Sequence, residues 1–385
     1  MVKRGFDNSE YELRLARAQS VMHKHELDAI FVTSPENIRY FSGFDSQFWE
    51  SPTRPWFVVV PGKGDPIAVI PEIGLSEMQK TWIKDVRSWP APRPKDDGIS
   101  LLSETINGLP QKFNAIGAEL GREMALRMPI IDFLKLRNCI KGHIVDGSPS
   151  IWEMRMVKTS AEVDKIRYIC KVASEAYLDL PNYLHLGETE RDVARKLRID
   201  LARRGADTTP FLPVISGKGG VSQIVCGPSD RMLQEGDVLF IDTGSTYDGY
   251  FCDFDRNFAI GKISNEVQKV YELLWQATEC GIRASVCGAT TQDIWLAMNK
   301  IIEEASIGGN NAGRLGHGVG LQLTEPPSHM LGDKTILVPN MVITIEPGVE
   351  YSPGKTLVHE ENIVVTENGP KLLTIRAPRE MPIIK

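Results

Sequence analysis

The chain reads as an α+β protein of two domains, a smaller α/β domain over residues 1–150 and a larger α+β domain over residues 151–385. Three observations predict this. At 385 residues the chain is longer than one hydrophobic core ordinarily serves. Its first part alternates helix and strand signals, the pattern of an α/β layer. Its second part clusters strands and groups the helices between them, which points to an antiparallel sheet with segregated helices.

Ser9-Glu10-Tyr11-Glu12 has the spacing of a capping box and predicts a helix running to about His25. Residues 28–32 form a short apolar run ended by Ser34-Pro35. Residues 57–60 and 67–70 are two more, joined by the hairpin-like Pro61-Gly62-Lys63-Gly64-Asp65. Pro90, Pro92 and Pro94 mark a loop, residues 114–119 a strand, and residues 122–137 a helix. The second domain opens on another capping box, Thr159-Ser160-Ala161-Glu162, followed by Val163, Ile166, Cys170, Ala173 and Tyr177 at helical spacing. Thr189 caps a helix carrying Val193, Leu197 and Leu201, and long helices fit residues 265–285 and 291–305. Strand signals fall at 211–215, 238–243, 250–260, 341–345, 355–366 and 372–375.

The bulk properties exclude several classes. Hydrophobic residues make up 42% and charged residues 24%, as in ordinary globular proteins. A net charge of −6, spread without long runs of one sign, argues against nucleic acid or an anionic membrane as partner. No run of 18 apolar residues could span a bilayer, and residues 1–10 lack an apolar signal core. The cysteines at 139, 170, 226, 252, 280 and 287 have no paired spacing, which suggests reduced thiols rather than disulfides. Cytoplasm is the expected compartment.

The chemistry gathers in the second domain. Asp242 and Asp253 flank an Asp248-Gly249 turn signal between two strand-like runs. With the reversal centred on Tyr247-Asp248 the two aspartates lie directly opposite, with Cβ atoms roughly 4.5–5.5 Å apart. Carboxylates that close repel unless a cation separates them, and a metal pair roughly 3.5–4 Å apart uses such bridging oxygens. Aspartate is also common near turns, so this segment alone leaves an ordinary turn open as the alternative. In Gly316-His317-Gly318-Val319-Gly320 the glycines allow close approach to the imidazole, although a lone histidine is more often structural. Glu346 ends the apolar run 341–345 and is followed by Pro347-Gly348. A carboxylate placed there is costly unless paired or metal-bound. Glu360-Glu361 precede Ile363-Val364-Val365, and strand alternation should turn one of the two acids inward. Together these supply four carboxylates and an imidazole, a ligand set for two divalent cations.

In their order and flanks these motifs resemble the pita-bread metallohydrolases: methionine aminopeptidase, aminopeptidase P, prolidase and creatinase. The matching segments are Ile241-Asp242-Thr243-Gly244, Asp253 eleven residues on, Gly316-His317-Gly318-Val319-Gly320, Ile345-Glu346-Pro347-Gly348 and Glu360-Glu361-Asn362-Ile363-Val364-Val365-Thr366, with Arg256 where the family places an arginine. The resemblance covers the whole chain and implies a C-terminal pita-bread domain preceded by a creatinase-like one. It further implies two divalent ions, manganese first, with iron, cobalt or zinc as alternatives. Asp242, Asp253 and Glu360 would bridge or chelate, and His317 and Glu346 would complete one metal. The ions would activate a water for attack on an amide carbonyl, with Glu346 as the base. A homodimer acting on a short peptide is the implied assembly and substrate.

Around this shell the chain departs from the peptidases. No histidine falls between His185 and His317, so the loop 216–226 cannot carry the family's substrate histidine. Gly313 and Thr324 stand where the family places two further histidines, and Val358 where proline-directed members place an arginine. Gln322, Thr324, Arg314, His329 and His359 are the candidates to contact substrate, and Trp49, Pro52, Arg54 and Trp56 to wall the site. A Xaa-Pro-type dipeptidase or aminopeptidase is one expectation. The other is a relative acting on a small non-peptide molecule, like ectoine hydrolase or the dimethylsulfoniopropionate lyases. The stretch Gly320-Leu321-Gln322-Leu323-Thr324-Glu325-Pro326-Pro327 resembles the lyase group. A non-catalytic binding protein should have lost ligands.

Overall fold

The computed structural model describes residues 2–51, 54–309 and 313–385. The chain divides into two compact units, Lys3–Arg155 and, together with Val2, Met156–Lys385.

The first unit is built on a six-stranded sheet. Its order is Asp85–Trp89, Ile67–Pro71, Phe57–Pro61, Ala29–Val32, Ala115–Ala118 and His143–Asp146. Phe57–Pro61 and Ile67–Pro71 are buried at every position, as continuous Val/Ile runs predict for strands covered on both faces. They pair antiparallel across the Pro61–Asp65 connection. Two expectations are corrected. The first helix is Asn8–Lys24, with Asp7 at its N-cap and no side-chain cap bond, so Ser9 lies inside the first turn and its capping box does not form. The helix expected over 122–137 is the shorter Ile130–Cys139, because Pro129 disfavours helical backbone in the residue before it.

In the second unit the capping boxes do form. Thr159 with Glu162 opens Ser160–Asp179, Thr189 with Asp192 opens Glu190–Arg204, and Thr290 with Asp293 opens Thr291–Ala305. One sheet centres on the strand Asp237–Tyr247, flanked by Tyr250–Phe251, Phe254–Ile260, Thr208–Phe211 and Val214–Lys218. The other runs Glu325–Ser328, His317–Gly318, Val342–Ile345, Glu361–Val364 and Lys371–Leu372. Leu274, Ile294 and Met298, from the helices Asn265–Ala284 and Thr291–Ala305, pack with Ile343, Ile345 and Ile363 in one buried cluster.

Two hairpins position the acidic residues. In the aspartate hairpin the expected strand 250–260 is interrupted at Cys252-Asp253. In the glutamate hairpin the expected strand 355–366 is interrupted at His359-Glu360, opposite a second break at Glu346-Pro347. Ile345 pairs with Glu361 and Gly348 with Val358, which sets Glu346 across from Glu360. Beyond these breaks the chain continues as the two-stranded ribbon Gly348–Ser352 and Lys355–Val358, whose register slips between Glu350 and Ser352. Phe251 and Phe254 flank the first interruption and Val358 and Ile363 bracket the second, so each segment reads as one strand until the pairing is seen. Among the described residues no helix is long and apolar enough to cross a membrane.

Candidate metal centre

Asp242 pairs with Asp255, and Thr243 with Phe254. The reversal is centred one position later than expected, on Asp248-Gly249, where φ is +50° and +80°. A tight hairpin turn of this kind needs positive φ at both central residues, which Asp-Gly tolerates. Asp253 is therefore not the register partner of Asp242. It remains close: the charge of Asp242 is the strongest acting on it.

Asn362 holds Asp253 in place. The Asp253 amide donates to Asn362 Oδ1 at 3.0 Å, and Asn362 Nδ2 donates back to the Asp253 carbonyl. Asn362 lies on Glu361–Val364, so this clamp ties one hairpin to the other. Sequence reasoning missed it, because nothing in Glu360-Glu361-Asn362 marks an amide that reads backbone.

His317 opens a two-residue strand, its amide donating to Thr344 Oγ1 at 3.1 Å. Its Nδ1 lies 2.8 Å from the Gly318 carbonyl oxygen. A carbonyl only accepts, so Nδ1 carries the proton and Nε2 keeps its lone pair. That Nε2 lies 3.4 Å from Asp253 Oδ2 and 3.9 Å from Glu346 Oε2. Burial, helped by the Arg314 charge, holds the imidazole neutral and lowers its pKa to about 3. Gly316 has φ +126°, and a Cβ there would lie 2.5 Å from the Thr344 carbonyl oxygen. A side chain at this position would push the histidine strand out of place.

Ligand atoms of Asp253, His317 and Glu360 all lie within 4.8 Å of one another. Asp242 Oδ1 and Glu360 Oε1 are buried without a hydrogen-bond partner. Burial raises Asp242 to about 7 and Glu346 to about 8, with the Asp242 charge adding to the latter. Asp253 and Glu360 are raised well above the usual range by burial and then by their acidic neighbours. Acids this close cannot all ionise in a dry pocket without a cation among them. Orphaned carboxylate oxygens converging on a neutral imidazole lone pair are what a divalent-cation site requires, and these residues fit one.

The remaining candidates are placed as follows. Both Glu360 and Glu361 are buried, although alternation predicts one inward acid. The break at His359-Glu360 separates their directions, and Glu361 meets Arg256 at 2.9 Å and Arg376 at 3.1 Å. Arg314 is half-buried, 3.3 Å from Ser328 Oγ, and its charge lowers both Asp253 and Glu346. Gln322 and Thr324 are half-buried on the segment after the histidine strand, the Gln322 backbone N–H donating to Glu325 Oε1 at 3.1 Å. Glu325 is itself buried against Lys158 at 3.0 Å. His329 is fully buried, with Nε2 2.9 Å from the Thr344 carbonyl. His359 is buried beside the Tyr271 ring, 4.9 Å between centroids. Trp56 is buried within the first unit against Phe44 and Trp49, at 5.2 and 5.5 Å, and the Arg54 guanidinium covers Phe48. Pro52 lies outside the described residues.

Buried carboxylates on two hairpins, closed by an imidazole from a neighbouring strand, are the centre of a metal-dependent hydrolase. The chain belongs to metallopeptidase family M24, whose pattern matches residues 164–367, while residues 14–157 match the creatinase/prolidase N-terminal domain. Enzymes of this family use divalent metals, and the architecture is the pita-bread fold behind a creatinase-like domain. Similar proteins include the probable dipeptidase PepE of Mycobacterium tuberculosis, 28% identical over 100% of this chain and 99% of the relative. The Xaa-Pro dipeptidase of Pyrococcus furiosus is 28% identical over 96% of this chain and 99% of the relative. Among solved structures, dipeptidase PepE from Mycobacterium ulcerans superposes with a TM-score of 0.85 at 29% identity, covering 99% of each chain. Prolidase from Thermococcus sibiricus gives 0.86 at 25% identity, over 97% of this chain and 99% of that one.

Proposed function

We propose that this protein hydrolyses short peptides of the Xaa-Pro dipeptide type, with Asp242, Asp253, His317, Glu346 and Glu360 holding two divalent cations, manganese first among them. The observation that carries this reading is the convergence of Asp253, His317 and Glu360 ligand atoms within 4.8 Å, beside orphaned oxygens of Asp242 and Glu360. When bound, such cations supply Lewis acidity and lower the pKa of water toward neutrality. Glu346 is the residue to accept the proton. Its side chain is 22% exposed against 6% for Asp253 and 5% for His317, so it is more open to an incoming molecule than those two. Arg314, a cation at the rim of an otherwise acidic site, suits the carboxylate of a dipeptide. Arg314→Met is expected to raise KM for a Xaa-Pro dipeptide about 10- to 100-fold with kcat little changed, the size of a lost charge-assisted hydrogen bond.

A second reading, a small non-peptide substrate, is favoured by one observation. Val358, which stands where the proline-directed members place an arginine, is buried against the apolar Ile215, Val221 and Phe240. The deciding experiment strips the protein with chelator, restores manganese, iron, cobalt or zinc, and assays a Xaa-Pro dipeptide, ectoine and dimethylsulfoniopropionate. Metal-dependent proline release supports the first reading. Turnover of either small molecule with no peptide cleavage replaces it with the second.

A further inference from the structure

Asp255 has no part in the ligand set above, yet it is the residue directly across from Asp242 in the aspartate hairpin. Directly opposed residues on an antiparallel pair hold their Cβ atoms about 4.5–5.5 Å apart. Asp255 is 2% exposed. Its Oδ2 accepts from Asn257 Nδ2 at 3.1 Å, and that amide also donates to the Val358 carbonyl, so the carboxylate is oriented from behind. Its Oδ1 is buried with no hydrogen-bond partner, as is Oδ1 of Asp242. Two register partners thus each present an orphaned carboxylate oxygen in a dry interior. Leaving both unsatisfied is costly for either one.

A packing role does not answer this, because an apolar residue would fill the same space without the desolvation penalty. A simple counter-ion role for Arg256 does not answer it either. Arg256 reaches the backbone carbonyl of Asp255 through Nη1 and directs Nη2 to Glu361, leaving Asp255 Oδ1 untouched. The charges do allow Asp255 to remain an anion. Two dications match the four negative charges of Asp242, Asp253, Glu346 and Glu360. Arg256 and Arg376 together share the single carboxylate Glu361, which leaves one positive charge for Asp255 to balance.

We propose that Asp255 is an additional metal-holding residue, supplying Oδ1 to the cation that Asp242 would bind. This rests on the dinuclear reading above and adds a donor to it. One of the two ions would then be bound more tightly than the five-residue set alone provides, and by a group fixed from behind by Asn257.

The test is titration of chelator-stripped protein with Mn²⁺ alone, read by calorimetry and by metal content after desalting, in the wild type, Asp255→Asn and Asp255→Ser. Melting temperatures are recorded with and without Mn²⁺. The expected result is two binding steps in the wild type. In both variants one step is weakened at least about tenfold, the scale at which even supporting groups act on metal affinity. Metal-free melting temperatures should be unchanged or higher, since a buried acid has been removed. Unaltered binding steps in either folded variant would overturn the proposal. So would a fall in metal-free melting temperature with both steps weakened equally, which marks a purely structural residue. A wild type that binds no Mn²⁺, and none of Fe²⁺, Co²⁺ or Zn²⁺ when titrated with each in the same way, would instead remove the dinuclear reading itself, and Asp255's role with it.

Discussion

Asp253→Ala and His317→Ala are expected to lower kcat/KM by about 10³-fold or more, at or beyond the usual cost of losing a positioned catalytic group. Each should also lose at least one of its two metal ions. The argument is geometric. His317 offers its Nε2 lone pair only because Nδ1 is committed to the Gly318 carbonyl, and His317 is the imidazole that groups with Asp253 and Glu360 among the described residues. Removing it leaves Asp253 and Glu346 facing each other with less to separate them. Both variants should fold. The Asn362 clamp grips the backbone of residue 253 whatever its side chain, and either substitution removes a buried polar group from the metal-free protein. Purified variants would be compared for metal content, circular dichroism and turnover. A folded variant that keeps most of its activity would refute the assignment.

Metal removal should make stability depend strongly on pH. Asp242, Asp253, Asp255, Glu346 and Glu360 all have pKa values raised by burial, to about 7 for Asp242 and about 8 for Glu346. In the unfolded chain these groups titrate near pH 4. Between that pH and their folded values the native state binds more protons, so its stability falls as pH rises. The chelated protein should therefore lose a few kcal/mol from about pH 5 to 8, and about 10 °C in melting temperature for a domain of this size. The neutral histidines oppose this trend only on the acid side. His317, His329 and His359 have lowered pKa values, and their contribution is lost as pH falls below about 6.5. Metal-free stability should accordingly peak mildly acid, and Mn²⁺ should stabilise far more at pH 8 than at pH 5.5. Melting curves across this range, with chelator and with Mn²⁺, provide the check. A metal-free protein equally stable at pH 6.5 and 8 would contradict the crowding of acids.

Much of this centre is legible in the sequence because its residues carry local signatures. Glycines around His317, a proline after Glu346 and paired acids before Ile363-Val364-Val365 are features of the chain itself. The register was not legible to one residue. Asp248-Gly249 announces a turn, but which pair occupies its centre depends on backbone angles, and a shift of one position exchanged Asp253 for Asp255 as the partner of Asp242. The strand breaks at Asp253 and Glu360 were hidden for a different reason. Apolar residues stand on either side of them, Phe251 and Phe254 in one case and Val358 and Ile363 in the other, and the breaks show only in the pairing itself. The helix Ile130–Cys139 began late because Pro129 outweighed the helical composition before it. Asn362 acts through backbone at long range, which no spacing rule detects.

The two hairpins differ in how much length variation they can absorb. The aspartate hairpin keeps one alignment from Tyr247 opposite Tyr250 to Val238 opposite Ala259, unshifted across the break at Cys252-Asp253. A one-residue slip of this register would turn Asp242 to the far side of the sheet. The glutamate hairpin already contains an irregularity between its tip and Glu346, so a longer or shorter tip can be taken up there while Glu346 and Glu360 stay matched. Engineered loops, tags or reporter insertions therefore belong at Pro353-Gly354 rather than at Asp248-Gly249.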